Sequence, residues 1–135
     1  MATERRAAKR TRNAAKRAGA KFEIDIAAWL REFFGDPRID RQPKNGNKDL
    51  GDIGGLVARG TAVVLECKNT SSVNLTGAMR EAQVEASNLQ ADGRYGDRPP
   101  IPVVLHKRHG VGAPEKQWAT LEIGEFARLV ELTNS

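Results

Sequence analysis

Three charged residues interrupt what is otherwise an apolar hairpin. In GDIGGLVARGTAVVLECKNT, residues 51–70, Asp52 opens the first arm, while Glu66 and Lys68 break the apolar end of the second. Burying such groups costs several kcal/mol unless they are paired or hold an ion. Side chains alternate along a strand, so Glu66 and Lys68 share one face, and Val63, Leu65 and Cys67 share the other. A two-residue loop at Arg59-Gly60 would turn Asp52 away from Glu66. A three-residue loop, Ala58-Arg59-Gly60, with Gly60 left-handed, sets Asp52 across from Glu66 and gathers Ile53, Val57, Val63 and Leu65 on the core face. Carboxylates on residues so opposed, with Cβ atoms about 5 Å apart, repel unless one is protonated or a cation lies between them. Such an oxygen-rich pocket suits Mg²⁺ or Mn²⁺. With Lys68 on the same face to orient water or stabilise charge, the set fits phosphodiester hydrolysis. The competing reading is a solvent-facing charge cluster on an edge hairpin, and Asp49 is a competing acid three residues before Asp52.

The surrounding pattern supplies the elements that must hold these groups. Phe22, Ile26, Trp29, Leu30 and Phe33 recur at helical spacing and predict a helix over 20–34, stopped by Gly35-Asp36-Pro37. Glu23 falls on an inward stripe with Ala27, Leu30 and Phe34, near the helix N-terminus, where any acid also suits the dipole. A short strand over 38–42 and the polar loop PKNGNKD lead into the hairpin. A second helix is predicted over 74–91, a strand over 101–107, another over 117–123, and a closing helix over 124–132. The order αβββαββα predicts an α/β fold with a mixed, mostly antiparallel central sheet of about five strands flanked by helices. His106 and His109 read as a solvated turn. Cys67 reads as a small buried hydrophobe whose backbone carbonyl could reach a metal.

Charge is concentrated at one end. Residues 1–21 carry eight Lys/Arg against Glu4, whereas the formal charge of the whole chain is +5, so the remainder is slightly acidic. A basic segment on a near-neutral domain suggests a polyanionic partner. The chain divides accordingly into a basic tail, 1–19, disordered or helical, and a domain, 20–135. AAKR recurs at 7–10 and 14–17, and that spacing would give a helix a basic stripe backed only by Ala, too little for membrane insertion. No apolar run is long enough to span a bilayer. A single cysteine excludes an internal disulfide and points to a reducing cytoplasm.

The order GDI, VVLECKN resembles the PD-(D/E)XK nuclease signature and, within that superfamily, the archaeal-type Holliday junction resolvases. The matching positions are Glu23 in KFEIDIAAWL, Asp52 in GDIGGL, Glu66 and Lys68 in LECKN, Gln83 in REAQVEASN and Lys107 in VVLHK. The similarity runs over residues 20–123. Gly51 stands where the signature has Pro, and PKNGNKD lacks the Ser often found before the acidic strand; Lys44, Asn45, Asn47 or Lys48 could touch phosphate there instead. The resemblance implies a restriction-endonuclease-like core and metal-dependent endonuclease activity on branched DNA. Asp52 and Glu66 would hold Mg²⁺ or Mn²⁺ with Glu23 assisting, Lys68 would activate water, and Gln83 would stand behind them. Arg5, Arg6, Lys9, Arg10, Arg12, Lys16 and Arg17, with Arg59 and Lys107, would grip phosphates. Paired cuts at a four-way junction imply a homodimer, with Trp118 or the last helix as its apolar face. A nicking, flap or restriction-type nuclease and a non-catalytic DNA-binding module are the alternatives.

Overall fold

The computed structural model describes residues 2–43 and 49–134, with side chains from Thr11 onward. Lys44 and Lys48 therefore lie outside the described residues, as do the side chains of Arg5, Arg6, Lys9 and Arg10. The elements are α1 (Ala2–Phe34), β1 (Asp40–Arg41), β2 (Ile53–Gly54), β3 (Val57–Ala58), β4 (Thr61–Lys68), α2 (Leu75–Asp92), β5 (Ile101–His106), a 3₁₀ turn (Pro114–Lys116), β6 (Trp118–Thr120) and α3 (Ile123–Thr133). The fold is α/β, with a six-stranded mixed sheet ordered β1-β2-β4-β5-β6 and β3 beside β4. Only β4 and β5 pair in parallel; the other pairs are antiparallel. Among the described residues, no helix is long and apolar enough to cross a membrane.

Alternation along β4 divides the interior. Val63 and Leu65 join Phe22, Ile26, Ile53, Ile101 and Val103 on one side, with Leu129 and Leu132 of α3 packed against them. Ala62 and Val64 face the other way, onto Ala86 and Leu89 of α2. That second face is the one shared by Glu66 and Lys68. Helix α2 lies over it with sound ends. Asn74 Oδ1 accepts from Gly77 N at 3.0 Å at its start, and Gly93, at φ 80°, closes it by donating to Leu89 O and Gln90 O.

The first helix differs from its prediction. It begins at Ala2, so Glu23 stands mid-helix, away from the positive end of the dipole. Phe33 does not enter the core: it is 66 % exposed and stacks on Trp29 at 4.9 Å. Phe34 is exposed too, and its ring meets that of Phe33 edge-on at 5.0 Å, so these rings cover one another instead.

The hairpin reaches its expected register by an unexpected route. The turn has two residues, Arg59 and Gly60, both left-handed at φ 46° and 81°, and it pairs Ala58 with Thr61 and Val57 with Ala62. Left alone, that register would carry Asp52 to the wrong face. One extra residue in the first arm, at Gly54-Gly55-Leu56, corrects it, so that Ile53 meets Leu65, and Asp52, just before β2, donates its N–H to Leu65 O. Val57 consequently faces outward, 39 % exposed, and Leu56 packs against the core in its stead. Gly55 makes this possible: at φ +86°, a Cβ would lie 2.3 Å from Arg38 O. Gly55→Ala is expected to cost more than about 2 kcal/mol through clash and left-handed strain together, read as a lowered denaturation midpoint.

Candidate metal centre

Asp52 and Glu66 are both buried in this hairpin. Asp52 Oδ2 accepts from Cys67 N at 2.7 Å, a bond across the ladder made by the side chain, while Asp52 N donates to Leu65 O at 2.9 Å. This anchors one carboxylate oxygen to the end of β4. Gly51, just before it, holds φ +105°, a value closed to proline, and a Cβ there would meet Val64 Cγ1 at 3.1 Å. The backbone here therefore has no room for the proline that the sequence comparison expected.

Glu66 is brought together with two groups that the sequence reading did not single out. Glu66, Glu81 and Glu85 each offer a carboxylate oxygen within 4.8 Å of the others, and the three could hold a metal ion. Helical spacing of four sets Glu81 and Glu85 on one side of α2. Lys68 Nζ bonds Glu81 Oε2 at 2.7 Å and lies 3.4 Å from Glu66 Oε1. Oε2 of Glu66 and Oε2 of Glu85 are buried without a hydrogen-bond partner among the described residues. Hard oxygen donors with unspent lone pairs fit a divalent cation of the Mg²⁺ class.

The electrostatics follow from this crowding. Burial pushes the Glu66 carboxyl up to about 7; a hydrogen bond with Glu85 opposes the shift, the charge of Asp52 adds to it and that of Lys68 opposes it. Burial, then its contact with Glu66, pushes Glu85 up to about 10. A proton on Glu85 is therefore the donor that eases the pair in the absence of metal. Burial works to lower the Lys68 pKa, but its bond to Glu81 and the charges of Glu66 and Glu81 outweigh that and raise it. Burial first, then the charges of Asp52, Glu23, Glu66 and Glu85, raise the Cys67 thiol, which packs half-buried toward the α1 core and stays protonated.

A pH dependence follows. Glu66 and Glu85 keep protons in the folded state that the unfolded chain loses near 4.5, so their contribution is fully present below that pH. It is lost as pH rises through about 7 and on toward 10. Melting in EDTA should show stability falling over this window, and Mg²⁺ should raise the melting temperature more near pH 8.5 than near pH 6. Equal metal effects at the two pH values would contradict it.

The other expected site residues are placed differently. Glu23 Oε1 lies 3.7 Å from Arg41 Nε, on the α1 side of the sheet, and is not in the three-glutamate group. Asp52 is also outside that group, though it is near enough to raise Glu66. Gln83 turns away and donates to Glu122 Oε1 at 3.0 Å. Lys107 Nζ spends its bonds on Arg108 O and Val111 O, holding the 107–117 loop. Asp49 Oδ1 caps Gly51 N at 3.1 Å, a turn-forming role. Arg59 occupies the hairpin turn, its carbonyl taken by Arg98 Nη1 at 3.1 Å. His106, read as part of a solvated turn, is half-buried in β5 with Nε2 2.7 Å from Thr120 Oγ1. A signal for Glu85 was legible: it sits on the stripe Ala78, Ala82, Glu85, Ala86, Leu89, where an acid is out of place. No protein-family model matches the chain, and no curated protein or solved structure matches it.

Proposed function

We propose that the chain is a divalent-metal-dependent DNA endonuclease of the PD-(D/E)XK type, with a restriction-endonuclease-like core and a preference for branched DNA such as a four-way junction. One observation carries the reading. Asp52, bonded to Cys67 N at the end of β4, is near enough to raise Glu66, and Glu66 gathers there with Lys68, Glu81 and Glu85, its Oε2 and that of Glu85 having no partner among the described residues beyond a proton they share. A purely structural cluster has little use for buried acids that must share a proton.

Glu66, Glu85 and Glu81, with Asp52 beside them, would hold Mg²⁺ or Mn²⁺, which supplies an activated water and neutralises charge at phosphorus. Cys67 N–H keeps Asp52 aimed along β4. Lys68 is 28 % exposed at the mouth of the site and would leave Glu81 to orient the attacking water and meet developing negative charge. Trp118, Ile123, Phe126 and Val130 are exposed apolar side chains suited to pairing two copies for symmetric cuts.

The test incubates the full chain with four-way junctions, flaps and linear duplexes, in Mg²⁺, Mn²⁺ or EDTA. Metal-dependent cleavage, strongest on junctions, is expected. Equal cleavage of all three substrates would remove the junction preference but keep the nuclease. Binding without cleavage in any metal would leave a DNA-binding module.

A further inference from the structure

Helix α1 runs for 33 residues, and only its second half packs on the domain. Among its described side chains the first buried is Phe22, and residues 11–18 are exposed on every side, alanines included. A helix without an apolar face gains nothing from packing, and like charges at Arg12 and Lys16, four apart, work against it in water. Its root is fixed nonetheless. Asn69 Nδ2 donates to Ala18 O at 3.0 Å, and Asn69 directly follows Lys68 at the mouth of the carboxylate cluster. The projecting half therefore starts beside the site.

Its charges are also in phase with the domain. Lys16 and Arg12 precede Glu23 by two and three helical turns, on the same face, at about 10 and about 16 Å along the axis. The sequence continues this spacing back through Lys9 to Arg5, about 27 Å from Glu23. Glu23 faces the sheet edge near Cys67 and Arg41, so this row of cations runs outward from the end of β4.

We infer that the N-terminal half of α1 is an arm that lies along the duplex on one side of the scissile phosphate. The inference rests on the nuclease reading for what happens at the site, and adds the form of substrate. At 3.4 Å per base pair, an arm reaching about 27 Å from Glu23 passes about eight base pairs, its cations along the outer five or so, so one flank of double helix is gripped and the other is not. The contacts go to phosphates and carry no sequence preference. They also relieve the repulsion within the helix, so binding should stabilise the arm.

The test measures binding of the full chain in EDTA, where no cleavage occurs, to junctions and duplexes whose flank is shortened from about 12 to about 4 base pairs. Wild-type affinity should fall as the flank drops below about eight base pairs, and helicity by circular dichroism should rise on binding only to the longer flanks. The Arg12→Ala/Lys16→Ala protein should bind the long flank roughly tenfold or more weakly, with a salt slope smaller by about 2. Wild-type affinity indifferent to flank length, or a double variant that keeps the wild-type slope, would overturn the arm. Flank-dependent binding with no cleavage in Mg²⁺ would sink the nuclease and leave the arm standing. Cleavage with flank-independent binding would do the reverse.

Discussion

Glu66→Gln is expected to reduce Mg²⁺-dependent cleavage by about 10²–10³-fold or more, while raising the melting temperature of the metal-free protein by a few degrees near pH 8. The two effects have opposite sign because one group causes both. Glu66 is 6 % exposed, and its Oε2 has no donor among the described residues beyond the proton of Glu85. It faces Glu85 and Asp52, each of which is worse off for its charge. A glutamine keeps the shape, removes the charge and offers Glu85 an N–H. Without metal, that exchange relieves the fold; with metal, it removes an anionic ligand. Cleavage at the wild-type rate would show that the site lies elsewhere. A sharp fall in melting temperature would make Glu66 a structural acid.

Lys68→Ala separates affinity from rate. Lys68 Nζ occupies Glu81 at 2.7 Å and lies 3.4 Å from Glu66, so a cation must compete with it for both carboxylates. Removing the ammonium should tighten Mg²⁺ binding, followed as the metal-induced rise in melting temperature. Cleavage should nevertheless fall by about 10²–10⁴-fold, because the group that orients water is gone. A merely structural lysine would give a different result: metal affinity and rate would fall together. Unchanged cleavage would remove Lys68 from the chemistry altogether.

The sheet and its two faces were legible because their signals are periodic. Strand β5 and helices α2 and α3 lie within a residue or so of the spans that apolar spacing predicts. The pairing of Ile53 with Leu65 was legible too, since that register gathers Ile53, Val63 and Leu65 on the core face, though not Val57. Its mechanism was hidden. A left-handed Gly60 serves two-residue and three-residue loops alike, and nothing local marks Arg59 as adopting φ 46°. The paired glycines at 54 and 55 held the missing clue, because glycine inside a strand signals a bulge. At the site, resemblance drew attention to Gln83, which faces Glu122. Helical phase alone favours Glu81 and Glu85, two residues to either side. Phe33 misled because periodicity says which way a side chain points and not whether the domain extends that far.

The unit β4–α2–β5 has a consequence for how the chain folds. Glu66, Lys68, Glu81 and Glu85 all come from residues 66–85, and α2 docks on β4 and β5 as the connection between those two parallel strands closes. Contacts so near in sequence cost little loop entropy and suit an early folding nucleus. The repulsion among the acids is then met on the way up the barrier. In EDTA, raising the pH from about 6 to about 9 should slow refolding and barely change unfolding, read from the two arms of a chevron plot. Mg²⁺ present during refolding should speed it, so that the ion would act on the assembling chain as well as on the finished site.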